Sequence, residues 1–258
     1  MHPTLLEIPL GFATIPIHTY GLMIAIGFLL AIYAVRKLAV RNQVNPDLVS
    51  DLSFWLLVYG FIGARALFVF TRFEDYLSNP LDILKVWEGG LVFFGGLISS
   101  TIYAIFFFRR HRLSAWKMID VLSPGVVLAH AFGRLGCLGA GCCYGKPTGG
   151  SWGIRFQSEL VDLSHRGVLL HPVQLYESAA LFILFGGMMY ISRHRRFEGQ
   201  VGLTYFMIYP IVRSIVETFR GDVIRGFVIE DVLSTSQFIS ILIFATAAFV
   251  LFKRLKKS

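Results

Sequence analysis

The sequence predicts an all-α polytopic membrane protein: seven transmembrane helices, the N-terminus outside and the C-terminus cytoplasmic. Three observations carry that expectation. The 258 residues are 55% hydrophobic and only 16% charged, where a soluble domain is about 45–50% apolar and about 25% charged, and the mean hydropathy is +0.64. Seven stretches are long and apolar enough for a bilayer core that takes roughly 20 residues per helix. Lys and Arg, finally, are concentrated in alternate connections between those stretches.

Residues 1–16, MHPTLLEIPLGFATIP, lack the basic start of a cleavable signal peptide and read as a short segment lying at the membrane surface. The spans are expected at 19–38, 48–70, 90–108, 119–140, 172–192, 201–219 and 233–252. The fourth is the least regular, with Pro124 and four glycines, yet its overall apolarity is still that of a span. Runs this continuous do not fit the ten-residue alternation of a β-barrel, so the spans are helical. No internal repeat, low-complexity tract or soluble domain interrupts them, and a single integral membrane domain over 1–258 is expected. The absence of repeat symmetry speaks against a transporter.

Orientation follows from the basic residues. With the N-terminus outside, fourteen of the 24 Lys and Arg fall on inner segments, in the clusters Arg36–Arg41, Arg109–Lys117, Arg193–Arg196 and Lys253–Lys257. Seven fall on outer segments (Arg72, Lys85, Lys146, Arg155, Arg166, Arg220 and Arg225), where signs are mixed. The outer connections 71–88, 141–171 and 220–232 are the longer ones, which directs function toward that side. The net charge of +8 is therefore an orientation signal, and no nucleic-acid partner is expected.

The other three basic residues, Arg65, Arg134 and Arg213, lie inside spans, and Arg213 is joined by Glu217. An ionisable group at membrane depth is costly, so it marks a functional site by default. All four are expected in the outer half of the bilayer or close to it. Arg213 and Glu217 are four apart and share a helix face, which Arg220 continues. Arginine's planar fork suits bidentate contact with phosphate. Several arginines at headgroup depth beside a glycine-rich turn read as a site for a phosphorylated lipid.

Two more constellations stand out. His171-Pro172-Val173-Gln174-Leu175-Tyr176-Glu177 opens the fifth span, with Pro172 suited to a first helical turn. His171, Gln174 and then Glu177 or Ser178 are expected on one side of it. The run 133–145, GRLGCLGAGCCYG, holds five glycines and all three cysteines. Close packing of small residues and a thiol-redox pair are both open readings of it. Three cysteines make no disulfide scaffold. With the distant His130 they form no recognised zinc-ligand spacing, so no metal and no cofactor is expected.

Together these segments resemble the bacterial phosphatidylglycerol–prolipoprotein diacylglyceryl transferases over nearly the whole chain. The similarity is carried by His18-Thr19-Tyr20-Gly21-Leu22, Gly63-Ala64-Arg65, Trp87-Glu88-Gly89-Gly90-Leu91 with Gly95-Gly96-Leu97, and Gly133-Arg134-Leu135-Gly136. It continues through the His171–Glu177 run, Arg213 with Glu217, Phe219 and Arg220, and the stretch Ser234–Ser240. The resemblance implies a seven-span inner-membrane enzyme working toward the outer leaflet. It would move the diacylglyceryl group of phosphatidylglycerol onto the lipobox cysteine of a preprolipoprotein and release glycerol 1-phosphate. Its partners would be phosphatidylglycerol, preprolipoprotein signal peptides and membrane lipids. On that resemblance Arg134 binds the lipid phosphate, Arg213 and Glu217 belong to the polar centre, and Tyr20 and Gly145 match positions important in the family. Tyr20, Arg213, Glu217 and His171 are thus the expected catalytic residues; Arg134, Arg65, Gly145, Gln174, Tyr176 and Glu177 are expected to bind substrate.

Three positions depart from the family pattern. Phe94 stands where a His is usual, Cys137 where an Asn is usual and Cys142 where a Glu is usual. Either His171 or Glu217 then removes the thiol proton, or the activity differs. A phospholipid-binding membrane protein without catalysis and a thiol-redox membrane enzyme are the alternative readings.

Overall fold

A computed structural model describes residues 4–9, 14–77, 79–86, 89–221, 226–230 and 232–256. Trp87 and Glu88 of the family-like run, Arg225, and Lys257 of the basic C-terminus lie outside the described residues, as do 1–3 and 10–13 of the N-terminal segment. Each expected span coincides with an α-helix: α1 Thr19–Arg41, α2 Pro46–Thr71, α3 Phe93–Arg110, α4 Ala115–Ala140, α5 Val173–His194, α6 Gln200–Phe219 and α7 Thr235–Leu255. Five of them (α1, α2, α4, α5 and α7) are long and apolar enough to cross a membrane. Helix α3 has 18 residues, with two glycines inside and an Arg pair at its end. Helix α6 carries Arg213 and Glu217 within its 20 residues. Large apolar side chains such as Leu29, Phe61, Ile102, Ile183 and Phe249 are exposed. Helices that turn such residues outward are suited to an apolar solvent. The chain is a multi-pass membrane protein.

The chain is mostly helical, in line with an all-α membrane protein, and short antiparallel strand pairs are added to the helices. Strands β1 (Thr4–Pro9) and β2 (Thr14–His18) pair antiparallel, with a register shift between Thr4 and Leu6. The backbone groups of these two strands therefore satisfy one another. Two shorter antiparallel pairs follow, β3 (Ile154–Arg155) with β4 (Leu169–Leu170) and β5 (Phe227–Ile229) with β6 (Leu233–Ser234).

The chain divides into two compact units. In residues 35–118, α2 and α3 touch through small residues. A Cβ on Gly63 would overlap Ser99, and one on Gly95 would overlap the Gly63 carbonyl. Ser99 and Ser100 exploit that approach, donating across to the carbonyls of Tyr59 at 2.7 Å and Leu56 at 2.9 Å. Such close helix contact replaces the hydrophobic drive that lipid cannot supply. Asn45 caps α2 through the N–H of Asp47, with Pro46 next in its first turn.

The other unit comprises 1–34 and 119–258. Its core joins Val127 and Ala131 of α4, Leu181, Leu184 and Met188 of α5, and Val201 of α6, all buried. The glycines of α4 admit α1: Gly136 faces the Tyr20 ring and Gly139 faces Thr19. Asp120 of α4 caps α6 from outside that helix. Its carboxylate accepts from the N–H groups of Gly199 at 2.7 Å and Gly202 at 3.1 Å, and from Arg195 at 3.0 Å. A carboxylate at a helix N-terminus meets both orphan donors and the positive end of the dipole. The 141–171 connection is ordered around its own buried cluster of Tyr144, Phe156, Val161 and Leu170.

Candidate functional site

Three helices of this unit turn one polar face inward. On α5 that face is Gln174, Glu177 and Ser178, all buried. On α4 it is His130 and Arg134, four apart. On α6 it is Tyr209, Arg213 and Glu217, each four residues after the last, so that all three share a stripe. Glu177 is the hub where they meet. Its Oε2 lies 3.0 Å from Arg134 Nε and 3.7 Å from an Arg213 nitrogen. Its Oε1 accepts a 3.0 Å hydrogen bond from the Tyr209 hydroxyl and lies 3.6 Å from His130 Nε2. Arg213 turns its other terminal nitrogen to Glu217, at 2.8 Å.

Two arginines and two carboxylates buried together compensate one another's charge. Burying any of them alone would cost several kcal/mol. The geometry is not saturated, however. Arg134 Nε is close to Glu177 but not aligned for a strong hydrogen bond. Its two terminal nitrogens, the planar fork itself, donate to no other group among the described residues. Glu177 thus pairs with the Nε edge of the guanidinium, and a guanidinium fork is chemically able to take an anion bidentately.

The turn after α4 is built by its glycines. The N–H of Cys142 reaches the carbonyl of Cys137 at 3.1 Å and that of Gly141 reaches Leu138 at 3.1 Å, with Gly141 at φ 76°. These are the two bonds of a Schellman helix end. The turn places the sulfurs of Cys137, Cys142 and Cys143 within 4.8 Å of one another. Hydrogen bonds from the Cys137 and Cys142 thiols, with Arg220 and Arg134 nearby, hold the Cys143 thiol well below the usual thiol range. Gln174 ties the turn to α5 by donating to the Cys142 carbonyl at 2.7 Å. Gly145 then passes between two other backbones. Its N–H donates to the His171 carbonyl at 3.0 Å, it bridges Arg220, and a Cβ there would strike His171 and the Phe219 carbonyl.

His171 does not share the face of Gln174 and Glu177. It precedes α5, and its ring packs on Trp152 (4.8 Å) and Phe219 (5.3 Å), with Nδ1 3.3 Å from the Tyr176 hydroxyl. Pro172, at ψ 66°, turns the chain between His171 and the helix, so helical periodicity does not extend back to the histidine. Tyr20 opens α1 against Gly136, its phenol in electrostatic reach of the three cysteines and Arg134. Arg65, in the other unit, gives Nε and both terminal nitrogens to the carbonyls of Asp82, Ile83, Lys85, Gly89 and Gly90. That guanidinium holds the connection between α2 and α3 in place.

Two members of the cluster escaped the sequence reading as such: Tyr209, and His130 in any role but a metal ligand. The signal was present, since each lies one turn before an intramembrane arginine. A neutral tyrosine or histidine in an apolar run carries no cost that would draw notice.

Comparison with known proteins bears on the whole chain. Residues 7–253 match the family model described as prolipoprotein diacylglyceryl transferase. A Clostridium tetani protein named phosphatidylglycerol–prolipoprotein diacylglyceryl transferase is 35% identical over 250 residues, covering 97% of this chain and 96% of the relative. A protein of the same name from Oceanobacillus iheyensis is 32% identical over 255 residues (96% and 88%), and one from a Nostoc species is 32% identical over 231 residues (85% and 79%).

Proposed function

From the premise that this chain belongs to the prolipoprotein diacylglyceryl transferase family, we propose that it transfers the diacylglyceryl group of phosphatidylglycerol to the lipobox cysteine thiol of preprolipoproteins. Glycerol 1-phosphate leaves. The enzyme is a transferase, and its setting is the bacterial inner membrane, with seven spans, the N-terminus outside and the site toward the outer leaflet. The basic clusters at the ends of α1, α3, α5 and α7 support that orientation.

The observation that carries the reading is the Arg134 fork, its Nε edge beside Glu177 and its terminal nitrogens without another partner among the described residues. A phosphate ester is a poor leaving group unless its growing charge is stabilised. Fixed guanidinium donors do this without proton transfer or reorganisation. Arg134 takes the phosphate, while Arg213, steadied by both Glu177 and Glu217, adds a second positive charge on the same side. The lipobox thiol attacks the diacylglycerol carbon that bears the phosphate. The C–S bond forms as the C–O bond to phosphate breaks, and the thiol proton passes to a base. Glu217 or His171 receives it, the first in the charged cluster and the second on the neighbouring aromatic wall. Tyr20, Gln174, Tyr176 and Gly145 shape the space around them.

The test uses purified protein, vesicles containing labelled phosphatidylglycerol, and a lipobox peptide. Release of glycerol phosphate with a matching mass gain on the peptide is expected. Intact lipid and unmodified peptide after long incubation would overturn the reading.

A further inference from the structure

The three cysteines have no part in that reaction, yet the fold assembles them. Cys137 is the third residue before the end cap of α4 and Cys142 the second after it. In a Schellman helix end these two positions touch, and an apolar pair normally fills them. Here both are thiols. Cys143 follows at φ 58°, a left-handed conformation that a residue with a side chain adopts only where its surroundings dictate it. The sulfurs converge from a helix, a helix cap and a strained turn to within 4.8 Å of one another.

We propose that Cys137, Cys142 and Cys143 form a three-thiolate site for a thiophilic metal ion, zinc(II) or copper(I).

Bonds of about 2.3 Å to one ion put sulfurs roughly 3.8–4.0 Å apart, whether the ion is tetrahedral or trigonal. The three thiols need to close by less than about 1 Å to reach that spacing. Soft thiolates select zinc and copper(I) over the hard cations that carboxylates and carbonyls hold. Binding displaces the three thiol protons to solvent, leaving a complex with one net negative charge for zinc(II) and two for copper(I). Compensation is at hand, since Arg134 and Arg220 both act electrostatically on Cys143. Among the described residues no histidine or carboxylate joins the group. Zinc(II) therefore keeps a fourth position for water or another small ligand, and copper(I) is three-coordinate. Metal content is measured without lipid or peptide, so the site stands or falls separately from the transferase reading.

The full chain in detergent is reduced, incubated without oxygen with zinc(II) alone or copper(I) alone, desalted and assayed for metal. About one ion per chain is expected in at least one arm, with the three thiols shielded from an alkylating reagent. A zinc(II) site accepts cobalt(II) and shows sulfur-to-metal charge-transfer absorption; a copper(I) site retains that ion only. Each of Cys137→Ser, Cys142→Ser and Cys143→Ser weakens binding by more than roughly 100-fold, beyond what outer-shell changes cost. Three single variants, each checked for native elution, guard against one that fails to fold. Retention by the parent protein no greater than by the variants overturns the proposal, as does alkylation of all three thiols at the same rate with and without metal.

Discussion

Arg134 of α4 and Glu177 of α5 meet 3.0 Å apart in a site where the glutamate side chain is 2% exposed. That contact aims the guanidinium. On the proposed reading, the Glu177 carboxylate steadies the guanidinium that takes the lipid phosphate before any lipid arrives. Pre-organisation of this kind is where electrostatic catalysis gets most of its effect.

Arg134→Ala is expected to lower the rate of glycerol phosphate release by at least about 100-fold, the scale of losing one fixed charge-stabilising donor. Arg134→Lys keeps the charge and loses the fork, so it should recover only part of that rate. Steady-state release from labelled phosphatidylglycerol measures both. Full activity in the alanine variant would remove the phosphate role from this residue.

Glu177→Ala strands two buried guanidinium groups and is expected to cost about 3–5 kcal/mol of stability, as when one partner of a buried pair is deleted. Tyr209→Phe removes only the 3.0 Å hydrogen bond to the same carboxylate and should cost about 1–3 kcal/mol. Thermal unfolding in detergent ranks the two. A tyrosine variant as damaged as the glutamate variant would show that the charges are not what holds the cluster.

Asp120→Ala removes three hydrogen bonds at the start of α6 and is expected to destabilise by about 3 kcal/mol or more. Asp120→Asn retains an acceptor and should be milder. Hydrogen exchange at the first turn of α6 is the direct readout, because fraying begins where the cap is lost.

Gly145→Ala is expected to abolish folding of the 141–171 connection or to expel His171 from its aromatic wall. The new Cβ would collide with His171 and with the Phe219 carbonyl, and both are backbone-tethered. Gly149→Ala in the same connection meets nothing within 4 Å and serves as the tolerated control. Yield, protease resistance and activity of the pair should diverge clearly.

Much of the site was legible one helix at a time. Arg213 and Glu217 pair at 2.8 Å as their spacing of four requires, and α5 buries Gln174, Glu177 and Ser178 on one face. What periodicity misses begins at helix ends. His171 leaves the pattern because the backbone turns at Pro172, and Thr4–Pro9 pairs with Thr14–His18 as antiparallel strands, which helical periodicity does not reveal. Arg65 illustrates a different limit. Its cost at membrane depth was visible, whereas the five loop carbonyls that accept from it were not.

The sequence by itself placed the helices to within a few residues and marked the chain as a membrane protein, because length and hydropathy are local properties that a bilayer reads directly. It also determined which charged residues those helices must shelter. Tertiary structure alone decided their partners. Glu177, read from the chain as one member of a polar turn, became the hub of two arginines, a tyrosine and a histidine, since three helices pack their polar stripes together. Three cysteines with no recognised metal spacing became neighbours because a left-handed glycine ends α4 and folds the chain back over its last turn. Hydrogen bonds and close ion pairs need contact distances of a few ångströms, and only the packed chain sets distances on that scale.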